Sequence, residues 1–256
     1  MSTGEQQQLA ETFVSLADTL VDDFDLLDFL GHLAEKASQH LTVAAAGVIL
    51  TDQRGGWRPT ATSEETPELV ELFTAGTHDG PCHECLRTAA PVSVSDLAEP
   101  GQRWPDFAAQ ARRAGYHAAA AVPMRSRRQT IGSLTLLNTT PDGVDAASLA
   151  LGQSLADMAT IGLLQQHPAH RGDLLAEQLQ AVLHHRVVLE QAKGTLAEHS
   201  NLTPHGAYLL LRDYARGQGL HLSELARHVA TTSELGDLDP ILAQSQFSQP
   251  ETRPWG

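Results

Sequence analysis

The two cysteines of this chain, Cys82 and Cys85, lie three residues apart in the segment 78–85 (HDGPCHEC). Two thiolates at this spacing can close a disulfide or hold a metal ion, and His78 and His83 would add imidazole ligands. A structural zinc site usually takes a second CxxC or HxxxH pair, which the sequence lacks. The pattern favours plain buried thiols. A redox pair or a metal site formed by these four residues is the alternative, and no metal is firmly predicted.

A second candidate site combines five cationic side chains and one aromatic ring: Arg186, Lys193, Tyr208, Arg212, Arg216 and Arg227. Arg212 and Arg216 are four residues apart, which places them on one face of a helix. Such donors can contact RNA, and the Tyr208 ring can stack on an unpaired base. The alternative is a solvated helix face on which Arg186 pairs with Glu190. The residues alone favour this alternative, because the segment 171–232 carries six basic and six acidic residues.

Composition limits the class of protein. The chain has 256 residues, 41% hydrophobic and 19% charged, which excludes wholesale disorder and allows one large domain or two small ones. The net charge is −14, and residues 1–170 hold most of it, with 10 basic and 21 acidic residues. The N-terminus is polar and acidic, and no run approaches 18 uninterrupted apolar residues. We therefore expect a cytoplasmic protein without a membrane span.

The hydrophobic pattern changes character along the chain. Residues 1–166 predict an α+β domain with an antiparallel sheet: helices over 5–39, strands near 43–50, 57–62, 92–94, 117–124 and 131–137, short helices between them, and a long helix over 145–166. An acidic run over 22–28 predicts a break and a fresh helix start. Residues 167–172 are expected to form a linker.

Residues 173–232 predict a three-helix unit. Leucines and a valine repeat every seven residues over 174–196, at Leu175, Val182, Leu189 and Leu196, which is typical of a coiled-coil or bundle seam. Thr203 and Ser223 are the expected N-caps of the second and third helices. Residues 233–256 are expected to form a poorly ordered tail.

The C-terminal motifs resemble the ANTAR domain, the RNA-binding module of transcription antiterminators. The matching segments are 189–196 (LEQAKGTL), 202–204 (LTP), 207–212 (AYLLLR) and 222–226 (LSELA). His205 and Gly206 replace the acidic residue that usually follows the proline. The resemblance implies RNA contact by the six residues of the second candidate site, since hairpin-loop recognition needs a few placed donors rather than a broad basic field.

The N-terminal motifs resemble the GAF domains that precede ANTAR in actinobacterial regulators. They are 79–82 (DGPC), 91–92 (PV), 96–97 (DL), 103–107 (RWPDF), 122–124 (VPM) and 131–136 (IGSLTL). The resemblance implies a sensor that controls an RNA-binding output, usually as a dimer. The sequence does not identify a cofactor or the signal.

Together these features predict a non-enzymatic regulator that binds hairpins in nascent leader RNA. This binding would prevent a competing terminator hairpin from forming. An unknown small-molecule or redox signal would act at the GAF-like domain, and the helices over 145–166 and 174–196 would form the stalk of a homodimer. The alternative is a sensing protein whose C-terminal helices bind a protein partner, which the net charge favours. A reductase using the two cysteines is the third hypothesis.

Overall fold

A computed structural model describes residues 25–52, 56–99, 103–126, 129–165, 173–232 and 240–242. The helix expected over 5–24 and the expected linker lie outside the described residues, and so does the tail except for 240–242, where Ile241 is buried. The chain divides into two compact units, residues 1–183 and 184–256.

The described part of the first unit is a five-stranded sheet with helices on both faces. The helices are α1 (Leu26–His40), α2 (Pro67–Gly76), α3 (Pro81–Thr88), α4 (Pro105–Arg113) and α5 (Ala146–Gln165). The strands are β1 (Ala45–Thr51), β2 (Trp57–Thr62), β3 (Val92–Val94), β4 (Ala118–Ser126) and β5 (Gln129–Asn138). The strand order is β2-β1-β5-β4-β3, and every pair is antiparallel. The predicted α+β fold with an antiparallel sheet is confirmed.

Helix α1 begins where the acidic run predicted a fresh start. The Asp25 side chain accepts hydrogen bonds from the backbone N–H groups of Leu27 and Asp28, at 2.9 and 3.2 Å. These two bonds satisfy donors that the first turn of a helix leaves without partners. The buried side of α1 carries Phe29, Leu30 and Leu33.

The two faces of the sheet are covered differently. One face packs against α1 and α5, where Gly152 of α5 lies close to Leu136 and Val122. The other face carries α2, α3 and α4, whose apolar side chains form one cluster with Ala45, Ile49 and Leu137. The alanines of β4 are buried, and α3 packs closely on that strand.

One helix among the described residues, over Ala146–Leu164, is long and apolar enough to cross a membrane. This segment is α5. Its buried side chains Leu155, Ala156 and Ala159 face into the first unit, and α5 packs on β4. The same length and composition are found in core helices of soluble domains, and the packing on the sheet is that of a core helix.

The second unit contains α7 (Pro204–Gln218), α8 (Leu222–Thr231) and much of the long helix α6 (Asp173–Ser200). Thr203 caps α7 as expected, since its hydroxyl accepts from the Gly206 N–H at 3.1 Å. Ser223 does not cap α8: His221 is the N-cap residue, and its side chain makes no capping bond. The helix therefore starts two residues earlier than predicted, at Leu222. The Leu222 side chain is buried, and its packing favours inclusion of this residue in the helix.

The heptad repeat contributes to the core of the second unit. Leu189 and Leu196 are buried within a single chain. Their side chains therefore serve the bundle and have little surface left for a second copy. The side chains of Leu175 and Val182, the other two residues of the repeat, lie outside the described residues.

Candidate functional sites

The thiols of Cys82 and Cys85 face the core on α3. They are 1% and 0% exposed, and Cys82 Sγ donates to the Gly76 carbonyl oxygen at 2.7 Å. Burial raises the pKa of each thiol to about 12. Because the thiolate is the nucleophile and the metal ligand, both groups are unreactive near neutral pH. The geometry is that of structural thiols, and a redox role stays a prediction.

The two histidines do not join the cysteines. His83 makes an edge-on ring contact with Trp57 at a centroid distance of 4.7 Å. His78 Nδ1 lies 3.2 Å from Thr77 Oγ1 and 3.2 Å from the Thr74 carbonyl oxygen. No group of three or more metal-ligating side chains occurs in the described part of the chain. The four-ligand site is not assembled, because a helix that points residues 82 and 85 inward turns residue 83 away from them.

The histidines instead line a pocket of about 350 Å³ at the β2 edge of the sheet. Its walls are Gly56, Trp57, Arg58, Pro59, Thr74, Thr77, His78 and His83. Sequence reasoning missed Trp57 and Arg58. The sequence feature that could have identified them is a tryptophan and an arginine directly after a turn, at the start of an edge strand.

On the sheet face that carries α2, the Phe73 ring packs directly against strand β1. A Cβ on Gly47 of β1 would lie 2.6 Å from the Phe73 ring, so this aromatic ring rests on the bare backbone of the strand. Ser133 and Thr135 of β5 are buried, and their hydroxyl oxygens have no hydrogen-bond partner among the described residues.

In the second unit, the face predicted from spacing is assembled around Glu190. Its carboxylate pairs with Arg186 Nη2 at 2.5 Å, and Lys193 Nζ lies 3.0 Å from each of its oxygens. The two cationic residues are 9% and 2% exposed. They are held inside the folded unit rather than displayed on its surface.

The remaining residues of the predicted set form a more exposed group. The Arg212 guanidinium lies over the Tyr208 ring at 5.7 Å and pairs with Asp213 at 3.2 Å. Tyr208 is buried and Arg212 is half-buried, whereas Arg216 and Arg227 are exposed. Residues 208, 212 and 216 share one face of α7 because they are four apart.

The described chain thus combines a domain with an antiparallel sheet between helices and an all-helical unit that displays arginines. The GAF domain model matches residues 25–163, and the ANTAR domain model matches residues 177–229. The chain belongs to the GAF domain family and carries a C-terminal ANTAR domain. GAF domains are sensor or regulatory domains, and ANTAR domains are RNA-binding domains.

Solved structures similar to this chain include GAF domains and an enzyme. The GAF domain of an Acinetobacter phosphoenolpyruvate-protein phosphotransferase is 17% identical, with a TM-score of 0.49, and the match covers 67% of this chain and 99% of that one. The free methionine-R-sulfoxide reductase from Neisseria meningitidis is 17% identical, with a TM-score of 0.46, over 72% and 95%. No curated protein matches the chain. The assignment rests on the two family models.

Proposed function

We propose that this protein is a signal-responsive, non-enzymatic regulator whose ANTAR domain binds hairpins in nascent leader RNA and prevents a competing terminator from forming. The observation that carries the proposal is the exposed pair Arg216 and Arg227 on the contacting helices α7 and α8, with Arg212 one turn before Arg216. Recognition of unpaired loop bases needs a few placed donors, which three arginines supply despite the balanced charge of the segment.

Burial divides the six predicted RNA-binding residues by role. Arg216 and Arg227 are accessible to phosphates and bases, and Arg212 is partly so. Tyr208 supports Arg212 through its ring, and Arg186 and Lys193 order α6 around Glu190. We assign direct contact to the three arginines of α7 and α8 and a supporting role to the other three residues.

The experiment uses the full chain with a fluorescent two-hairpin leader RNA and a control RNA with scrambled loops. Fluorescence anisotropy should show tighter binding to the native loops, by about tenfold or more, since each good base contact contributes roughly 1–3 kcal/mol. Equal binding to both RNAs would refute loop recognition.

A protein partner is the second candidate for the C-terminal helices, because the whole chain carries a net charge of −14. Strong negative charge lowers the attraction for a polyanion. This candidate predicts that neither RNA binds with measurable affinity at about 0.15 M salt.

We also propose that the protein acts in the cytoplasm as a homodimer. Ile161 near the end of α5 and Val187 on α6 are each 55% exposed, and contact with a second copy would remove these apolar side chains from water. Sedimentation analysis of Ile161→Ser and Val187→Ser should show weaker self-association than the wild type. A wild-type chain that is monomeric at high micromolar concentration would refute the dimer.

A further inference from the structure

The pocket at the β2 edge lies on the sheet face that carries α2, α3 and α4. Pro59 pairs with Ile49, which belongs to the apolar cluster on that face, and Trp57 packs against the same cluster. Side chains alternate between the two faces along a strand. The Arg58 guanidinium therefore lies on the opposite face, where its Nε is 3.7 Å from Asp52. Among the lining residues that the structure describes, no carboxylate and no other guanidinium or ammonium group occurs.

The polar wall of the pocket contains His78, and its hydrogen bonds fix which ring nitrogen carries the proton. Thr77 Oγ1 donates to the Thr74 carbonyl oxygen at 2.7 Å, so this hydroxyl has no proton left for His78. His78 Nδ1 lies 3.2 Å from each of these two oxygens. Because both oxygens can only accept, Nδ1 is the donor. The Nε2 atom of the neutral ring is then an acceptor that a bound molecule can use.

The apolar wall is flat and aromatic. The Trp57 indole and the Pro59 ring line the pocket from β2, and the His83 ring meets Trp57 edge-on at a centroid distance of 4.7 Å. Aromatic rings pack favourably in edge-on and offset arrangements, so a further flat ring can join this contact. The volume of about 350 Å³ lies at the small end of the range for small-molecule sites. It suits a molecule of one or two fused rings.

We infer that this pocket binds an uncharged, flat aromatic molecule that carries an N–H or O–H group, with its ring against Trp57 and Pro59 and its donor on His78 Nε2. This inference rests on the proposed function, because it names the chemical class of the signal that the sensor domain would receive. An anion is disfavoured, since it would lose hydration at these walls without meeting a permanent positive charge.

The pocket is connected to the core through the junction between α2 and α3. Thr77 and His78 directly follow α2, and Cys82 Sγ ties α3 back to the Gly76 carbonyl oxygen at the end of α2. His83 belongs to α3, and this helix packs on β4. A molecule that contacts both His78 and His83 therefore bridges the two helices.

Isothermal titration calorimetry on the full chain without RNA tests the inference with three probes. These are indole, 1-methylindole, which keeps the rings but lacks the N–H donor, and indole-2-carboxylate, which keeps the donor and adds a negative charge. We expect indole to bind saturably. Each of the other two should bind about fivefold more weakly or less, because one lacks the hydrogen bond and the other must desolvate an unpaired carboxylate.

The variant His78→Phe removes Nε2 and keeps a flat ring, so it should bind indole and 1-methylindole with equal affinity. His199→Phe is the matched control. Its Nδ1 also bonds the carbonyl oxygen four residues earlier, that of Thr195 at 2.7 Å, but it lies on α6 and does not line the pocket. The control should keep the wild-type preference for indole.

Three results on the wild type would overturn the inference: no saturable binding of indole in the millimolar range, binding of 1-methylindole as tight as that of indole, or tighter binding of the carboxylate. A folded His78→Phe protein that still prefers indole would also overturn it. If this variant fails to fold, the comparison of the three probes decides. RNA binding is measured separately without probe, so loss of loop recognition refutes the proposed function while the calorimetry refutes the ligand class.

Discussion

Lys193 holds its ammonium group 3.0 Å from both carboxylate oxygens of Glu190, three residues earlier on α6, while only 3% of its own side chain is exposed. Glu190 is 43% exposed, so the pair is open to solvent on its acidic side. The Coulomb attraction of such a pair is worth less than about 1 kcal/mol. The buried aliphatic stem of Lys193 is therefore its larger contribution to the fold.

We predict that Lys193→Ala lowers the free energy of unfolding of the second unit by about 2–3 kcal/mol, which is the cost of truncating a buried stem. Lys193→Met keeps the stem and should restore most of that stability. Urea unfolding followed by circular dichroism measures both variants. A Lys193→Ala protein as stable as the wild type would show that the stem does not support the bundle.

The buried thiols predict a loss of stability in alkali. The pKa of each thiol is about 12 in the folded protein, against an ordinary value of 9.0. Above pH 9 the unfolded chain releases protons that the folded chain keeps, so stability falls as the pH rises from about 9 towards 12. The slope is at most about 1.4 kcal/mol per pH unit for each thiol.

Urea unfolding at pH 7.5, 9 and 10 measures this fall, and the Cys82→Ala/Cys85→Ala double variant is the control. The variant should lose less stability than the wild type over the same range. A fall of equal size in both proteins would assign the effect to other groups. Thiol labelling with Ellman's reagent should also be slow until the first unit opens.

Gly47 is predicted to be irreplaceable by alanine while Phe73 is present. The added Cβ would meet three atoms of the Phe73 ring at 2.6–2.8 Å, and both the strand and the ring are in the core. Gly47→Ala should cost about 2–3 kcal/mol of stability, as expected for overpacking. The cost should shrink when Phe73→Leu is already present, and a double-mutant cycle measures this coupling. Additive effects would contradict the contact.

Gly194 should behave in the opposite way. It lies within α6, and a Cβ there meets nothing within 4 Å in the described structure. Replacing a glycine inside a helix by alanine removes chain entropy from the unfolded state. Gly194→Ala should therefore stabilise the second unit by about 0.5–1 kcal/mol in urea unfolding. Destabilisation would point to a contact that the isolated chain does not show.

Much of the fold was predictable because it follows from local patterns. Alternating and continuous apolar runs located all five strands, the acidic run located the start of α1, and Thr203 located the start of α7. The prediction that Ser223 is the N-cap of α8 was wrong, because burial of Leu222 determines where this helix begins. Capping preferences are worth about 1 kcal/mol, and burying a leucine contributes more.

The sites were harder to predict than the fold. Helical spacing placed Arg186 and Lys193 on one face, but spacing does not say which face turns inward, and a lysine stem can pack like an apolar residue. The β2-edge pocket joins Trp57, His78 and His83 from three elements. Only the tertiary fold brings these residues together, so no short motif marked them.

The most direct test of the account compares RNA binding by four proteins: the wild type, Arg216→Gln/Arg227→Gln, Lys193→Met and Arg113→Gln. Anisotropy titrations use the native-loop hairpin RNA at a fixed salt concentration of about 0.15 M, since affinities depend strongly on salt. We predict that the arginine double variant loses at least about tenfold in affinity with its unfolding curve unchanged. We expect Lys193→Met and Arg113→Gln to bind within about twofold of the wild type. Full-strength, loop-dependent binding by the double variant would contradict the assignment of RNA contact to α7 and α8.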